Sequence, residues 1–324
     1  MPEKTIPLVS IIVTTFNRPA LLIKTVQSLL NQTYQKFEIL VIDNHSITDV
    51  GTALETFRDD RIRFFKNANR GIIAVNRNVG ILQARGQMLA FCDDDDLWFP
   101  NKLERQLKMF NADRHIGIGA SSLIIGGGAS YRRSSFLKGG ERGLEELMKD
   151  GPPPFSSLMV VQTGMLFSED VRCRNVEDYD FQLRLVHRSQ KKIAIVEEPL
   201  IYYRIHSSNH NRDRAERLNG VGVVRAFKHF VSNALFRSAL SRQFFLAGIL
   251  SLRCGDRSAA WLFRKAIILE PKSIKSRLGY CVSRWPVCFW GWSIRMFYLF
   301  GNVTQSVKVL LNVQNYWKKD DNAP

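Results

Sequence analysis

Residues 9–43 decide the fold, and they read VSIIVTTFNRPALLIKTVQSLLNQTYQKFEILVID. This stretch opens and closes on short apolar runs, Val9–Val13 and Glu38–Ile42, which are typical of buried strands. Between the two runs, Pro19 suits the first turn of a helix. The apolar stripe of that helix comprises Leu21, Leu22, Val26, Leu29 and Leu30. A strand, a helix and a strand within about forty residues predict a right-handed βαβ unit with a parallel sheet.

The alternation of helix and strand patterns continues as far as Phe110. We expect helices at residues 50–58, 72–84 and 101–110, and strands at residues 62–65 and 87–92. In open α/β sheets, ligands collect beyond the carboxyl ends of the strands. Asp43 follows the second strand in this way, and four aspartates, Asp93 to Asp96, follow the strand that ends at Cys92. The sequence therefore predicts a ligand site at this edge of the sheet.

The pattern loosens after residue 126, where glycine and proline clusters at residues 126–128 and 151–154 indicate loops. In this half we expect a strand at Leu158–Val161, a helix at Asp178–Val186 and a strand at Ile193–Val196. From residue 211 onward the strand patterns stop and amphipathic helices follow. One hairpin there, residues 244–271, resembles a tetratricopeptide unit, although a single copy cannot form a solenoid.

The charge of the chain is divided unevenly along its 324 residues. Residues 1–200 contain 26 basic and 24 acidic residues, whereas residues 201–324 contain 20 basic and 6 acidic ones. A nearly neutral front and a strongly basic back indicate two modules with different partners. The basic residues 201–324 would attract a phosphorylated polymer, nucleic acid or an anionic membrane surface. Nothing in residues 1–200 indicates recognition of the bases of a nucleic acid.

Targeting signals are absent from the sequence pattern. The first residues lead straight into a strand pattern, so we expect no signal peptide. The five cysteines are odd in number and show no metal-ligand spacing, which favours reduced, mostly packed thiols in a cytoplasmic protein. Residues 287–300 are apolar but contain Arg295, and 14 residues are too few to span a bilayer. An interfacial helix there, peripheral at the inner face of the membrane, stays open.

Four consecutive aspartates are, by composition alone, more often a solvated charged run than a site. Here the run directly follows the apolar segment Met88–Phe91 and precedes Leu97–Pro100. Carboxylates crowded at a strand end repel each other unless a cation is present, and hard oxygen ligands favour Mg²⁺ or Mn²⁺. Such an ion would neutralise a diphosphate and assist the departure of a nucleoside diphosphate. The context therefore predicts a metal and nucleotide site.

The chain resembles the family 2 glycosyltransferases of the GT-A fold in a set of ordered motifs that covers about residues 8–210. The matching text is VSIIVTTFNR at 9–18, EILVIDNHS at 38–46, NRG at 69–71, RNVG at 77–80, ARGQ at 84–87, FCDDDDLWFP at 91–100, EDYDFQLRL at 177–185 and YRIH at 203–206. Each motif is weak alone, and their order makes the resemblance specific.

The resemblance implies a Rossmann-like GT-A catalytic domain over residues 1–210, with a nucleotide-binding half at 1–100 and an acceptor half at 101–210. Residues 211–324 would form the basic, mostly helical C-terminal appendage. The implied reaction is transfer of a hexose from a nucleotide diphosphate sugar, by single displacement with inversion, to a hydroxyl of a glycan or glycolipid. Such an activity belongs to polysaccharide biosynthesis.

The resemblance also implies roles for individual residues. The implied nucleotide-binding residues are Thr14, Asp43, Asn44, Arg77, Asp93 and Asp94. Asp93 and Asp95 are the outer positions of an Asp-x-Asp motif, and the implied ligands of Mn²⁺ or Mg²⁺ are Asp95, Asp93 and His206. Asp178 matches the catalytic base, while the alternative for it is a helix start that places acids against the dipole.

One position departs from the family pattern. The family often has a second aspartate where Asn44 stands. An Asn carbonyl can accept from the N3–H of uracil, but its NH₂ group can equally meet another base. The resemblance therefore favours a UDP-sugar and leaves other bases open.

Three other enzyme classes fit the sequence less well. A nucleotide-dependent oxidoreductase needs a Gly-x-Gly-x-x-Gly turn after the first strand, and a P-loop enzyme needs Gly-x-x-x-x-Gly-Lys; neither is present. A sugar-nucleotide nucleotidyltransferase is the runner-up, although its glycine-rich basic loop is missing too. A non-catalytic module that binds membrane or nucleic acid through its basic helices has no use for Asp93, Asp95 and Asp178 together.

Overall fold

A computed structural model describes residues 9–68, 72–125, 132–134, 137–204 and 216–284 of the chain. These residues form two compact units, here called the first unit and the second unit. The first unit contains the described residues up to Leu144, Pro152–Glu169 and those from Phe181 to Arg204. The second unit contains Glu145–Gly151, Asp170–Asp180 and residues 216–284. The predicted domain boundary near residue 210 lies outside the described residues.

The strands are β1 Val9–Thr15, β2 Phe37–Asp43, β3 Ile62–Lys66, β4 Met88–Asp93, β5 Leu97–Trp98, β6 His115–Ile125, β7 Arg132–Ser134, β8 Gly140–Arg142, β9 Met159–Val161 and β10 Lys192–Arg204. The helices are α1 Pro19–Leu30, α2 Val50–Glu55, α3 Ile73–Gln83, α4 Lys102–Met109, α5 Leu144–Asp150, α6 Glu177–Ser189, α7 Asn219–Ala226, α8 Asn233–Arg253, α9 Ala259–Leu269 and α10 Ile274–Ser283. Every helix and strand predicted up to residue 110 is confirmed, with small shifts at the ends.

The strands form one sheet in the first unit, with the order β3-β2-β1-β4-β9-β6-β10-β5; β7 pairs with β6 and β8 with β10. Strands β1 to β4 are parallel, and the register sets Thr14 opposite both Ile42 and Asp93. The prediction of a parallel sheet holds for these four strands. Beyond them the sheet is mixed, because β9 runs antiparallel to β4 and to β6.

The core of the first unit explains why these strands read as continuous apolar runs. All seven residues of β1 and all seven of β2 are buried, as expected for parallel strands covered on both faces. Helix α1 begins with Pro19 in its first turn and buries Leu22, Val26 and Leu29 in the cluster that contains Val9 and Ile11. The packing places the carboxyl ends of β1, β2 and β4 side by side.

The sequence missed β6, and it recovered only part of β10. Two glycines interrupt the strand pattern of β6, and packing requires both. A Cβ at Gly117 would lie 2.9 Å from the carbonyl oxygen of Met159, and a Cβ at Gly119 would overlap Pro153. Strand β10 extends well beyond the predicted Ile193–Val196, with register shifts on both sides of Pro199.

The second unit is built around helices α7 to α10, which confirms the predicted helical C-terminal region. The ring of Phe263 on α9 lies against Gly248 of α8 and Gly279 of α10, where any side chain would collide with it. Asp170–Asp180 joins this unit through Asn219, whose Nδ2 donates to the carbonyl oxygen of Arg174 at 2.8 Å. Among the described helices, none is long and apolar enough to cross a bilayer.

The described cysteines are free thiols but not mostly packed ones. Cys92 is buried, and burial raises the pKa of its thiol well above the usual value. Cys173 is half-buried, whereas Cys254 and Cys281 are exposed. The expectation of packed thiols therefore holds for Cys92 and fails for the two cysteines in the helical region.

Candidate active site

The four aspartates form a fixed turn at the end of β4. The backbone N–H of Asp96 donates to the carbonyl oxygen of Asp93 at 3.2 Å and closes the turn. From α1, the hydroxyl oxygen of Thr25 lies 2.9 Å from the carbonyl oxygen of Asp94 and 2.8 Å from that of Asp96. Asp94, Asp95 and Asp96 are buried. The run is therefore a packed structural feature and not a solvated charged loop.

Arg18, immediately before α1, forms ion pairs with this turn. Its Nη1 lies 2.8 Å from Oδ2 of Asp95 and 3.2 Å from Oδ1 of Asp94. The hydroxyl of Thr15 also donates to Asp94, at 2.7 Å. The sequence motif contains Arg18, but sequence reasoning gave it no role. Nothing in the local pattern shows that Arg18 contacts Asp94 and Asp95, which lie 76 and 77 positions further along the chain.

Burial and mutual repulsion change the proton affinities in the turn. Burial raises the pKa of Asp94 to about 6, although the Arg18 guanidinium and the Thr15 hydroxyl oppose the change. Burial, with repulsion from Asp95 and Asp93, raises the pKa of Asp96 well above its usual value. The carboxylates are thus held closer together than their charges favour, and an added cation would relieve the repulsion.

Asp93 is the more open carboxylate, with 36% of its side chain exposed against 13% for Asp95. Nη2 of Arg77, a buried residue on α3, lies 3.2 Å from Oδ1 of Asp93. The Arg77 guanidinium stacks over the ring of Phe155 at 4.1 Å. The backbone N–H of Asp93 donates to the Ser156 hydroxyl at 3.0 Å. Two elements far apart in sequence therefore fix the position of Asp93.

The predicted nucleotide-binding residues lie along the same edge of the sheet. Thr14 is paired with Asp93 on β4, and its neighbour Thr15 is paired with Asp43 on β2. Asp43 is fully buried and accepts from the backbone N–H of Ser46 at 3.0 Å. The N–H of Asn44 donates to the carbonyl oxygen of Thr15 at 2.9 Å, which leaves Asn44 half-buried beside the strand ends.

Two predicted residues are not part of this edge of the first unit as described. Asp178 is the second residue of α6 and belongs to the second unit, where it is half-buried and accepts from the N–H of Tyr179 at 2.8 Å. His206 lies outside the described residues. The roles of both remain predictions.

Sequence reasoning also missed Asn78, which fixes the loop beside Arg77. Oδ1 of Asn78 accepts from the N–H of Phe167 at 2.7 Å, and its Nδ2 donates to Glu169 at 2.8 Å. Phe167 in turn stacks on Phe181 with ring centroids 4.0 Å apart. The available signal was the polar run at residues 76–78, which is buried in the middle of a helix.

The acidic turn offers the donor chemistry that Mn²⁺ or Mg²⁺ requires. Among the described residues, no group of three or more His, Cys, Asp or Glu side chains is arranged to hold an ion. Mg²⁺, however, is usually held by one or two carboxylates together with substrate phosphates and water. Asp93 and Asp95 supply hard oxygen ligands of this kind, so the residues present fit a divalent ion that arrives with a diphosphate.

Comparison with known proteins identifies relatives of the chain. Residues 10–171 match the family model described as Glycosyl transferase family 2. An uncharacterized glycosyltransferase of Rickettsia bellii is 39% identical over 109 residues, which are 33% of this chain and 16% of the Rickettsia protein. The UDP-Glc:alpha-D-GlcNAc-diphosphoundecaprenol beta-1,3-glucosyltransferase WfgD of Escherichia coli is 37% identical over 102 residues, which are 32% of this chain and 40% of WfgD. The chain thus spans well under two thirds of both relatives.

Solved structures are similar over most of the chain. S. aureus TarS 1-349, solved in complex with UDP-GlcNAc, aligns with a TM-score of 0.59 at 16% identity over 85% of this chain and 90% of that one. The mannosyltransferase PcManGT of Pyrobaculum calidifontis, solved with GDP-Man and Mn²⁺, aligns with a TM-score of 0.58 at 16% identity over 98% of this chain and 90% of that one. These likenesses confirm the Rossmann-like GT-A fold.

The family match begins in β1 and includes the acidic turn, Asp43, Asn44 and Arg77. It spans half of the 324 residues. The chain therefore belongs to glycosyl transferase family 2.

Proposed function

We propose that this glycosyltransferase moves a hexose from a nucleotide diphosphate sugar to a hydroxyl of a lipid-linked glycan, by a metal-dependent single displacement with inversion. The observation that carries the proposal is the packed acidic turn at the ends of the parallel strands, beside Asp43 and Thr14. Desolvated carboxylates without a ligand are costly, and they are retained where a site uses them.

The strand ends would bind the nucleoside. Asp43 is held by Ser46, and Asn44 is half-buried, so both can present fixed polar groups to a base or a ribose. WfgD is named for UDP-Glc, and TarS was solved with UDP-GlcNAc, whereas PcManGT was solved with GDP-Man. The Asn44 amide can accept from uracil N3–H and can equally donate to another base. Two of these three proteins are named for or solved with a UDP-sugar, so we place UDP first.

The acidic turn would hold the diphosphate end of the donor. Asp95 and Asp93 would ligate Mn²⁺ or Mg²⁺, with His206 as the further predicted ligand. A bound ion at this point would neutralise the leaving diphosphate. Arg77, stacked on Phe155 and paired with Asp93, would contact a phosphate oxygen.

Asp178 would act as the general base. A neutral sugar hydroxyl is a poor nucleophile near pH 7, and a carboxylate that takes its proton during attack contributes about 10²–10⁴-fold to the rate. Attack by the acceptor on the face opposite the leaving group inverts the anomeric carbon. The half-buried position of Asp178 at the start of α6 leaves the carboxylate accessible for this role.

The acceptor is the least constrained part of the proposal. WfgD is named for an acceptor on diphosphoundecaprenol, and the net charge of this chain after residue 200 favours work near an anionic surface. A lipid-linked glycan at the cytoplasmic face of a membrane satisfies both observations.

A donor screen followed by turnover assays tests the function. Thermal shift with Mn²⁺ across UDP-, GDP- and dTDP-sugars should single out one donor, and that donor should be consumed with a GlcNAc-diphosphopolyprenol acceptor. NMR of the product should show an anomeric configuration opposite to that of the donor. Formation of a nucleotide sugar from a sugar phosphate and a nucleoside triphosphate would instead identify a nucleotidyltransferase. Transfer with retained configuration would contradict the single displacement.

A further inference from the structure

Helix α9 presents an unusual face to solvent. Trp261, Arg264, Lys265 and Ile268 are all exposed, and their spacing places them on one side of the helix. The opposite side, which includes Leu262 and Phe263, is buried. Trp261 is 50% exposed, and Ile268 is 57% exposed. The solvent side of α9 therefore combines large apolar and basic side chains.

Helix α10, which packs beside α9, repeats this combination. Ile274 and Leu278 are 72% and 42% exposed, and Arg277 is exposed between them. We call the exposed side chains of these two neighbouring helices the α9–α10 surface. Single exposed apolar residues are normal in proteins, but four large ones on two adjacent helices indicate an interaction site.

The charge of the α9–α10 surface is predominantly basic, and its acidic neighbour is exposed Glu270, which follows α9 and interacts with Lys275. Neither helix contains Asp or Glu, and between them they carry Arg264, Lys265, Lys275 and Arg277. The ammonium of Lys265 lies 5.4 Å from the centroid of the Trp261 ring, so the apolar and basic groups are interleaved. A partner must therefore be anionic and must also accept apolar side chains.

We propose that the α9–α10 surface docks on an anionic lipid bilayer. Trp261, Ile268 and Ile274 would enter the boundary between the headgroups and the acyl chains, and the basic side chains would meet the lipid phosphates. The wider charge of the chain supports this partner, since residues 201–324 carry 20 basic and 6 acidic residues.

Three other occupants fit the surface less well. A second copy of the chain would present the same positive charge and repel the first. Residues 285–324 carry four basic and two acidic residues, so this segment does not supply the missing negative charge either. Nucleic acid would complement the positive charge, but its phosphates would not contact the exposed apolar side chains of Ile268, Ile274 and Leu278.

The inference goes beyond the proposed function and does not depend on it. Docking is measured as binding to vesicles and needs no turnover. A protein that turns over its donor but does not bind vesicles would therefore refute only the proposed docking of the α9–α10 surface. Loss of turnover with docking intact would refute only the proposed chemistry.

Vesicle flotation with the full chain tests the surface. The protein should float with phosphatidylcholine vesicles that contain phosphatidylglycerol, should stay behind with phosphatidylcholine alone, and should dissociate in high salt. The double variant Arg264→Glu/Lys265→Glu should bind at least about 20-fold more weakly, because each basic residue near an anionic leaflet contributes about fivefold. Trp261→Gln and, separately, Ile268→Gln should each weaken binding severalfold to about tenfold.

Matched controls separate this surface from charge in general. Lys24→Glu/Lys36→Glu changes the net charge equally at exposed positions of the first unit, and Leu82→Gln removes an exposed apolar side chain there. Both controls should bind as the unchanged protein does. Equal weakening by the controls, no flotation with either vesicle, or binding to duplex DNA that Trp261→Gln leaves unaffected would each overturn the proposal. Circular dichroism of every variant checks that the helices are retained.

Discussion

In the first unit, charged side chains lie inside the protein: Asp94, Asp95 and Asp96 are buried at the end of β4, and Arg77 is buried beside Asp93. On α9 and α10 of the second unit, basic residues such as Arg264 face solvent beside exposed apolar groups. Buried charge is costly and is kept where geometry matters, as in the binding of a diphosphate. Exposed charge costs little and acts over a Debye length, as in attraction to a surface.

The proposed role of Asp178 bears on this comparison. It belongs to the second unit, yet the proposed reaction requires it as the base. The comparison between the buried charges of the first unit and the exposed charges of the second unit therefore needs to be tested at Asp178 as well as at the acidic turn. The four tests below run from the largest expected effect to the smallest.

Removal of the Asp95 carboxylate should have the largest effect. Asp95→Asn keeps the size of the side chain but removes a charged metal ligand, and metal neutralisation of a leaving group contributes several kcal/mol. We expect turnover to fall by at least about 10³-fold, with donor binding no longer dependent on Mn²⁺. EDTA should stop the unchanged enzyme, and Mn²⁺ should restore it.

A matched control is Glu104→Gln on α4, a partly exposed acid that pairs with Lys108. It should leave turnover unchanged. Full turnover of the unchanged enzyme in EDTA would show that the buried carboxylates of the acidic turn have a role other than metal binding.

Asp178→Asn tests whether the second unit takes part in the chemistry. The amide cannot accept the proton, so turnover should fall by about 10²-fold or more while donor affinity stays the same. Asp180→Asn is the matched control in the same first turn of α6. If the acids only stabilise the helix start, both variants should lose similar stability, and Asp178→Asn should keep near-native turnover.

The pH dependence of the free energy of unfolding tests a buried charge of the first unit that lies outside the acidic turn. Lys102 is fully buried on α4, with its ammonium donating to Oε1 of Gln106 at 2.8 Å, and burial lowers its pKa to about 7. The unfolded chain keeps this proton up to a pH of about 10.4, so it binds more protons than the folded state between about pH 7 and 10. The free energy of unfolding should therefore rise with pH in this window, by up to about 1.4 kcal/mol per pH unit.

Urea unfolding at a series of pH values measures this slope. Lys102→Met should lack the rise, whereas Lys108→Met, at an exposed position of the same helix, should keep it. An identical slope in both variants would mean that Lys102 does not titrate in this window.

Removal of the ion pairs of Arg18 with Asp94 and Asp95 should have the smallest effect of the four, on the affinity for Mn²⁺. The Arg18 guanidinium occupies the cation position beside Asp95 and Asp94, so a divalent ion must compete with it. Arg18→Gln should tighten Mn²⁺ binding in the presence of UDP about fivefold, the equivalent of about 1 kcal/mol. Titration calorimetry measures this, with Arg63→Gln, which removes the pair to Glu38, as the control. Unchanged or weaker Mn²⁺ binding would contradict the competition.

The sequence by itself determined the first four strands and the helices between them, because parallel strands buried on both faces leave continuous apolar runs. It also determined the edge of the sheet where the candidate site lies, since Asp43 and Asp93 each follow such a run. The helical character of the C-terminal region and its basic charge were readable for the same local reasons.

Only the tertiary structure decided which partners hold the site together. The acidic turn is contacted by Arg18 just before α1, by Thr25 of α1 and by Ser156 of the segment before β9. The periodicity of the local sequence does not encode such long-range contacts. Strand β6 was hidden for a similar reason, since Gly117 and Gly119 are required by the approach of Met159 and Pro153. Likewise, a helix pattern predicts an apolar and a polar side, but only the packing of Phe263 against Gly248 and Gly279 shows that Trp261 and Ile268 face solvent.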